Sequence, residues 1–405
     1  MTKLEKILIN AIQNSEYYKH RVALDDTIDI NKFPILTKED LRNYCDEIII
    51  DKYKYGDVSM LKSVFTSGST GINTKVFWKD EDYIKSNISI WRFRMKWYGI
   101  SPVSKRIVFN SMVYNGRDLL KPPKVEKSHD GLTLSFSKFY LNDEDIIEYI
   151  KIILQFEPVW ISVQTSTLIR IIDVMNKYQI SFPTSIKYVE LNGEVVTKSN
   201  MEYFNQYIKV PVANLYGAME VNSIAYECPH HSLHVLNDNV YLESINSNDD
   251  NSKIVAVTSL HNTAMPIIRY NLCDRITFAK NKRCACGHCS QIIENIEGRS
   301  TDVIALPNKK YISAYTFIYY IESTNLLLHN AIIQFKIIQK NYSEIEIFLK
   351  INPQFSNWKN TILQEIYKKI LSDNQINLFK VNISFVDEFD ETNGSKFKIF
   401  ENLLE

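Results

Sequence analysis

Three observations predict an α/β fold. It comprises a large N-terminal domain over residues 1–300, with mostly parallel β-sheets and helices, and a small C-terminal α+β domain over 301–405. Helical spacing of apolar residues alternates with short β-rich runs through the first part, the pattern of helices packed on a largely parallel sheet. Past about residue 300 the order changes to hairpin, helix and strand. No run of about 18 apolar residues occurs, so nothing in the sequence predicts a membrane span.

The elements follow in chain order. Leu4, Ile7, Leu8 and Ile12 share one helical face. This opening stretch lacks the continuous apolar run and small-residue cleavage site of a signal peptide, so a cytoplasmic protein is expected. A helix is predicted over 83–97. In LNDEDIIEYIKIILQFEPVW, Asn142 serves as N-cap with Asp145 three residues on, and Pro158 closes the helix. Another helix is predicted over 165–178, then strands at 186–191, 210–214 and 253–259. In the C-terminal part, 331–339 and 343–351 read as a hairpin, followed by a helix at 355–372 and a strand at 379–386. The domain boundary is expected near GRSTD, 298–302.

The charge balance removes some function classes. Lys plus Arg and Asp plus Glu are 47 each, a formal net charge of zero, which argues against nucleic acid or an anionic membrane as partner. Five of the six cysteines, Cys228, Cys273, Cys284, Cys286 and Cys289, fall in one limited stretch, and Cys45 stands apart. In a cytosolic chain of this size, clustered thiols suggest metal before disulfides. ECPHHSLH (227–234) supplies Cys228 and three histidines, and CACGHC supplies the C-x-C pair Cys284 and Cys286. Cys228, His234, Cys284 and Cys286 are the expected ligands of a closed tetrahedral structural Zn²⁺, with Cys289 and His230 as substitutes.

Three segments carry the chemistry. FTSGSTGINTK (65–75) places the small or hydroxylated run Thr66, Ser67, Gly68, Ser69, Thr70 and Gly71 after a β-rich run, with Lys75 adding positive charge. Such a loop wraps its backbone around an anion, although the GxxxxGK spacing of a Walker loop is absent. NLYGAMEVN (214–222) ends a strand in an aromatic, a glycine and then the carboxylate of Glu220, and reads locally as a strand–turn–helix junction. In MPIIRYNLCDRI (265–276), Asp274 follows an apolar strand, where a carboxylate can accept ribose hydroxyls.

The order of these segments resembles the adenylate-forming ligase superfamily. TSGSTG with its lysine is similar to its phosphate loop, YGAME (216–220) to its YGxTE element and YNLCD (270–274) to its YxxGD element. GRSTD is similar to its GRxxD hinge, and NGSKFKIF (393–400) to its C-terminal glycine–lysine element. PILTKEDLR (34–42), VELNGEVVT (189–197), LHNTAMPIIRY (260–270) and CACG (284–287) resemble the phenylacetate–coenzyme A ligase branch, some members of which carry similar cysteine–histidine sets.

The resemblance implies an ATP-dependent, AMP-forming carboxylate ligase whose small C-terminal domain is mobile. Thr66 to Gly71 and Lys75 would hold the ATP phosphates. Gly193 and Glu194 would flank the adenine, with Asn214, Leu215, Tyr216 and Gly217 beneath it. Glu220 would bind Mg²⁺, Asp274 and Arg299 the ribose, and Lys396 would be the catalytic lysine. The implied reaction joins a small-molecule carboxylic acid, of aryl or arylalkyl type, to AMP and passes the acyl group to coenzyme A. An amine or a carrier protein is the alternative acceptor, and a catalytically inactive zinc-stabilised binding module is the alternative function. Trp91, Trp97, Tyr98 and Trp160 are candidates to line an aromatic-acid pocket, although such residues are more often core. Three positions depart from the pattern: Cys273 stands where the family has glycine, Asn73 where relatives often have proline, and Ser395 interrupts the Gly–Lys pair, which makes Lys398 a rival to Lys396.

Overall fold

The computed structural model describes residues 1–23, 28–56, 58–65, 74–110, 123–245, 253–280, 283–299, 302–306, 311–373, 376, 378–389 and 397–404. The chain forms two compact units, each made of two separate stretches: 1–101 with 213–299, and 102–212 with 300–405. The sequence reading placed one boundary near 300. The chain also parts near 101 and 212.

The first unit is built on antiparallel strands. In sheet order these are Val240–Ile245, Lys253–Ser259, Tyr270–Phe278, Ile292–Arg299, Leu233–Val235, Asn222–Glu227 and Val212–Ala218. Helix Lys3–Asn14 starts on a capping box between Thr2 and Glu5 and buries Ile7, Leu8, Ala11 and Ile12. Those residues join Val221, Ile224, Val255, Val257 and Ile268 in a single core. The PILTKEDLR segment is fixed by main-chain bonds on both sides of Leu36, whose N–H donates to Arg269 O and whose carbonyl accepts from Asn271 N–H. Helix Asp80–Tyr98 ends at Gly99, whose φ of +67° is the left-handed conformation that glycine takes without a Cβ penalty.

The second unit contains the parallel strands. Trp160–Val163 pairs parallel with both Tyr188–Asn192 and Arg106–Asn110, and the last pairs parallel with Thr133–Ser137. Helices Asp143–Phe156, Thr165–Lys177 and Lys198–Tyr207 supply the crossovers expected of such strands. Asn142 caps the first of these, accepting the Asp145 N–H at 2.8 Å. Residues 304–400 form a core of their own around Phe317, Ile337, Ile347 and Ile366. Its sheet is the hairpin Ile332–Asn341/Glu344–Ile351 flanked by parallel strands Lys380–Phe385 and Phe400–Asn402. This sheet is fastened to the 102–212 stretch by an ion pair between buried Lys350 and Asp173 and by Asn200 Nδ2 donating to Ile333 O at 2.6 Å.

The predicted helices and strands are present with ends shifted by a few residues, and the fold is a mixed α/β fold. Parallel pairing is concentrated in the 106–192 strands, while the strands from 222 to 299 are antiparallel throughout. Among the described residues no helix is long and apolar enough to cross a membrane.

Candidate active site

In the first unit, Val212–Ala218 and Asn222–Glu227 form a hairpin in which Ala218 pairs with Asn222 and Gly217 with Ser223. The segment expected to be a strand–turn–helix junction is therefore strand–turn–strand. Asn222 takes φ +65°, a left-handed conformation asparagine tolerates. At Gly217 a Cβ would lie 2.7 Å from Asn222 O, so only glycine fits. The turn places Glu220 with its side chain buried. One carboxylate oxygen, Oε1, accepts the Tyr270 hydroxyl at 2.8 Å. Among the described residues no second donor reaches this carboxylate.

Asp274 and Arg299 face each other as partners across the antiparallel pair Tyr270–Phe278/Ile292–Arg299. Asp274 Oδ2 accepts the Tyr216 hydroxyl at 2.6 Å. Cys273 occupies the left-handed region at φ +57°, a conformation that costs a side-chain-bearing residue about 1 kcal/mol. Its N–H is satisfied by Asn271 Oδ1 at 2.9 Å. Burial, followed by the facing carboxylates, raises the pKa of both phenols well above the usual tyrosine value, so both remain protonated donors. Four of the expected residues, Tyr216, Glu220, Asp274 and Arg299, thus lie on three strands and one turn of the same sheet, with Tyr216 and Asp274 joined by a hydrogen bond. Tyr270 opens the YNLCD segment, whose pattern alone assigns it no role. Asn214 and Leu215 lie on the same hairpin strand, and Asn214 N–H donates to Glu227 Oε2 at 2.7 Å. Lys75 is exposed on strand Lys75–Trp78, which pairs with Lys62–Phe65. Thr66 to Gly71 and Lys396 lie outside the described residues.

Gly193 and Glu194 belong to the second unit, after strand Tyr188–Asn192. Gly193 takes φ +76°. The Glu194 carboxylate accepts Ser166 N–H at 2.9 Å, Ser166 Oγ at 3.0 Å and Phe397 N–H at 3.0 Å. The Nζ of Lys138, a residue with a fully buried side chain, lies 3.6 Å away. This carboxylate caps the start of helix Thr165–Lys177 and is satisfied within the unit. Lys398 is described and exposed.

The cysteine–histidine cluster also lies in the first unit. The donor atoms of Cys228, His234, Cys284 and Cys286 are all within 4.8 Å of one another. Cys228 Sγ and Cys284 Sγ are 3.6 Å apart, and Cys286 Sγ lies 3.3 Å from His234 Nε2. Tetrahedral zinc with Zn–S near 2.3 Å sets ligand–ligand edges of about 3.8 Å, so this set fits the ion. His234 Nδ1 is 3.2 Å from Ser290 Oγ, the outer contact that turns Nε2 toward the thiols. Burial and then His288 push the His234 imidazole down to about 4, favouring the neutral ligand form. Burial pushes the Cys228 thiol up to about 12. It opposes ionisation at Cys284 as well, but hydrogen bonds from Ser232 and Cys286 outweigh it and bring that thiol to about 7. Cys289 and His230 are exposed. Trp97 stacks on Tyr226 and lies 5.8 Å from the His234 ring, and Tyr98 donates to Glu227 O. Trp160 is buried against Tyr188. Of the four aromatics named for an acid pocket, these three are used in packing.

No protein-family profile matches the chain. It is 23% identical to the protein CapK of Staphylococcus aureus over 401 residues, covering 95% of this chain and 84% of that protein. The structure is similar to 2-hydroxyisobutyryl-CoA ligase in complex with R3-HIB-AMP, with a TM-score of 0.73 at 13% identity over 99% of this chain and 88% of that one. It is also similar to the anthranilate CoA ligase AuaEII in complex with anthranoyl-AMP, with a TM-score of 0.55 at 12% identity over 83% and 65% of the two chains. The chain therefore has the adenylate-forming ligase fold.

Proposed function

We propose that this protein is an AMP-forming ligase that activates a carboxylic acid with ATP and transfers the acyl group to coenzyme A. The observation that carries the reading is the grouping of Glu220, Asp274 and Arg299 around the Val212–Glu227 hairpin, in a fold shared with coenzyme A ligases. The substrate carboxylate is already ionised at neutral pH, so its attack on the α-phosphorus requires no general base. The demand is for charge neutralisation as pyrophosphate leaves.

Glu220 supplies the anionic oxygen for Mg²⁺, a hard cation that prefers carboxylate and water. When bound, the ion neutralises phosphate charge. Asp274 accepts the ribose hydroxyls with Arg299 beside it, and Asn214 to Gly217 form a wall for the adenine. Thr66 to Gly71 with Lys75 hold the phosphates, and Lys396 is the residue proposed to meet the developing charge. Gly193 offers backbone to the adenine, whereas the carboxylate of Glu194 is engaged elsewhere. Cys228, His234, Cys284 and Cys286 would hold Zn²⁺ as a brace: four protein ligands leave no open position for catalysis.

ATP–pyrophosphate exchange over a panel of acids, starting with aryl and arylalkyl acids, tests the reading. Acid-dependent exchange is expected, and its absence across the panel with folded protein overturns it. Adding coenzyme A, amines or a carrier protein to a preformed acyl adenylate then identifies the acceptor.

A further inference from the structure

The two motif segments exchange hydrogen bonds. Tyr216 of YGAME donates to Asp274 of YNLCD, and Tyr270 of YNLCD donates to Glu220 of YGAME, at 2.6 and 2.8 Å. Each phenol thus serves the acid of the opposite segment, 58 and 50 residues away in sequence. We propose that Tyr270 is the positioning residue for the metal carboxylate and Tyr216 the positioning residue for the ribose carboxylate, a crossed pair that orients both acids before nucleotide arrives. The inference rests on the ligase reading of Glu220 and Asp274.

The chemistry favours phenols for this task. A lysine or arginine at either position would orient the carboxylate and also cancel the charge that a hard cation needs. A phenol orients with a neutral donor and leaves the formal charge intact. One oxygen of Glu220 is occupied by the Tyr270 hydroxyl. The other oxygen is then fixed in direction by the planarity of the group. Hydrogen bonds of this outer kind set the aim of a metal ligand, and removing one typically weakens metal affinity about tenfold or more. At Asp274, Tyr216 holds Oδ2 on one side while Arg299 stands opposite on the paired strand. Tyr270 is buried and Tyr216 half-buried, and each hydroxyl is turned to its carboxylate.

The test uses Tyr270→Phe and Tyr216→Phe, which keep the rings and remove only the hydroxyls. Two quantities are read by calorimetry: the affinity for AMP without metal, and the factor by which Mg²⁺ tightens a non-hydrolysable ATP analogue. Tyr270→Phe is expected to shrink the Mg²⁺ factor about tenfold and leave AMP affinity within about twofold. Tyr216→Phe is expected to weaken AMP about fivefold to tenfold, the loss of one hydrogen bond to a charged group, and to leave the Mg²⁺ factor within about twofold. Effects that follow the sequence neighbour instead of the crossed partner overturn the proposal, as do equal effects on both readouts accompanied by a lower melting temperature. Wild-type protein that binds neither AMP nor the analogue overturns the ligase reading and this inference with it. Wild-type protein that binds both, with uncrossed variants, overturns the crossed pair alone.

Discussion

Glu220 and Glu194 come from the same sequence expectation, two acidic residues at an ATP site, and are held in opposite ways. Glu194 is surrounded by donors: the amide and hydroxyl of Ser166, the amide of Phe397 and the buried ammonium of Lys138. Glu220 takes a single phenol. A buried carboxylate that already has its hydrogen bonds serves the fold, and one with capacity to spare is poised for a ligand. The difference between a structural acid and a functional one therefore lies in the count of donors, which the motif does not carry.

The largest effect expected from this contrast is on stability. Glu194→Ala removes a carboxylate that accepts three hydrogen bonds and stands 3.6 Å from the ammonium of Lys138, whose side chain has no exposed surface, a loss of about 3–5 kcal/mol in denaturant unfolding. An unfolding midpoint near that of wild type, together with selective loss of ATP binding, would reverse the assignment. Glu220→Ala should do the converse. Its stability stays within about 1 kcal/mol of wild type, while pyrophosphate exchange drops about 100-fold or more as the metal oxygen is lost.

The cysteine–histidine cluster tests the same distinction for a metal. Elemental analysis of protein purified without chelator should find about one zinc per chain. Changing Cys284 and Cys286 together to Ser should lower the melting temperature, with AMP affinity falling only as folded protein is lost. A zinc-free wild-type protein, or full stability in the double variant, would break that reading.

The smallest effect concerns a third, half-buried acid. Glu322, on helix Tyr315–Leu327, has no hydrogen-bond donor among the described residues, and burial pushes it up from 4.5 to about 7, opposed by Lys198. Its folded value lies above the unfolded one, so its contribution is full below about pH 4.5 and is lost as pH rises through 7. Glu322→Gln should therefore raise stability at pH 8 by about 1–2 kcal/mol and change little near pH 4.5. Equal denaturant midpoints for variant and wild type at pH 8 would show that this acid is solvated.

What the sequence made legible was local. The helix at 83–97 and the hairpin at 331–351 follow from side-chain periodicity and a short turn, and both are present. The C-x-C pair fixes two ligands because both lie in one loop. His234 is distinguished from His230 only by its place on strand Leu233–Val235, where it faces the thiols. Strand direction was not legible, since KIVAVTS reads alike in a parallel or antiparallel sheet. Asn222–Glu227 was missed as a strand because it is buried on both faces and shows no alternation. The partners of Glu194 come from residues 138, 166 and 397, and no local pattern brings them together.

The interleaved make-up of the units has a consequence for synthesis. The core of the first unit joins side chains from 7–78 to others from 221–293, whereas the 107–212 core is drawn almost wholly from one continuous stretch. On a ribosome adding about 5–20 residues per second, residues 7–78 wait about 10–40 s for the strands that cover them. The middle of the chain can bury itself at once. The apolar face of helix Lys3–Asn14 therefore stays uncovered until the strands beyond residue 221 have been made, and it reaches its core later than the stretch that follows it in the chain.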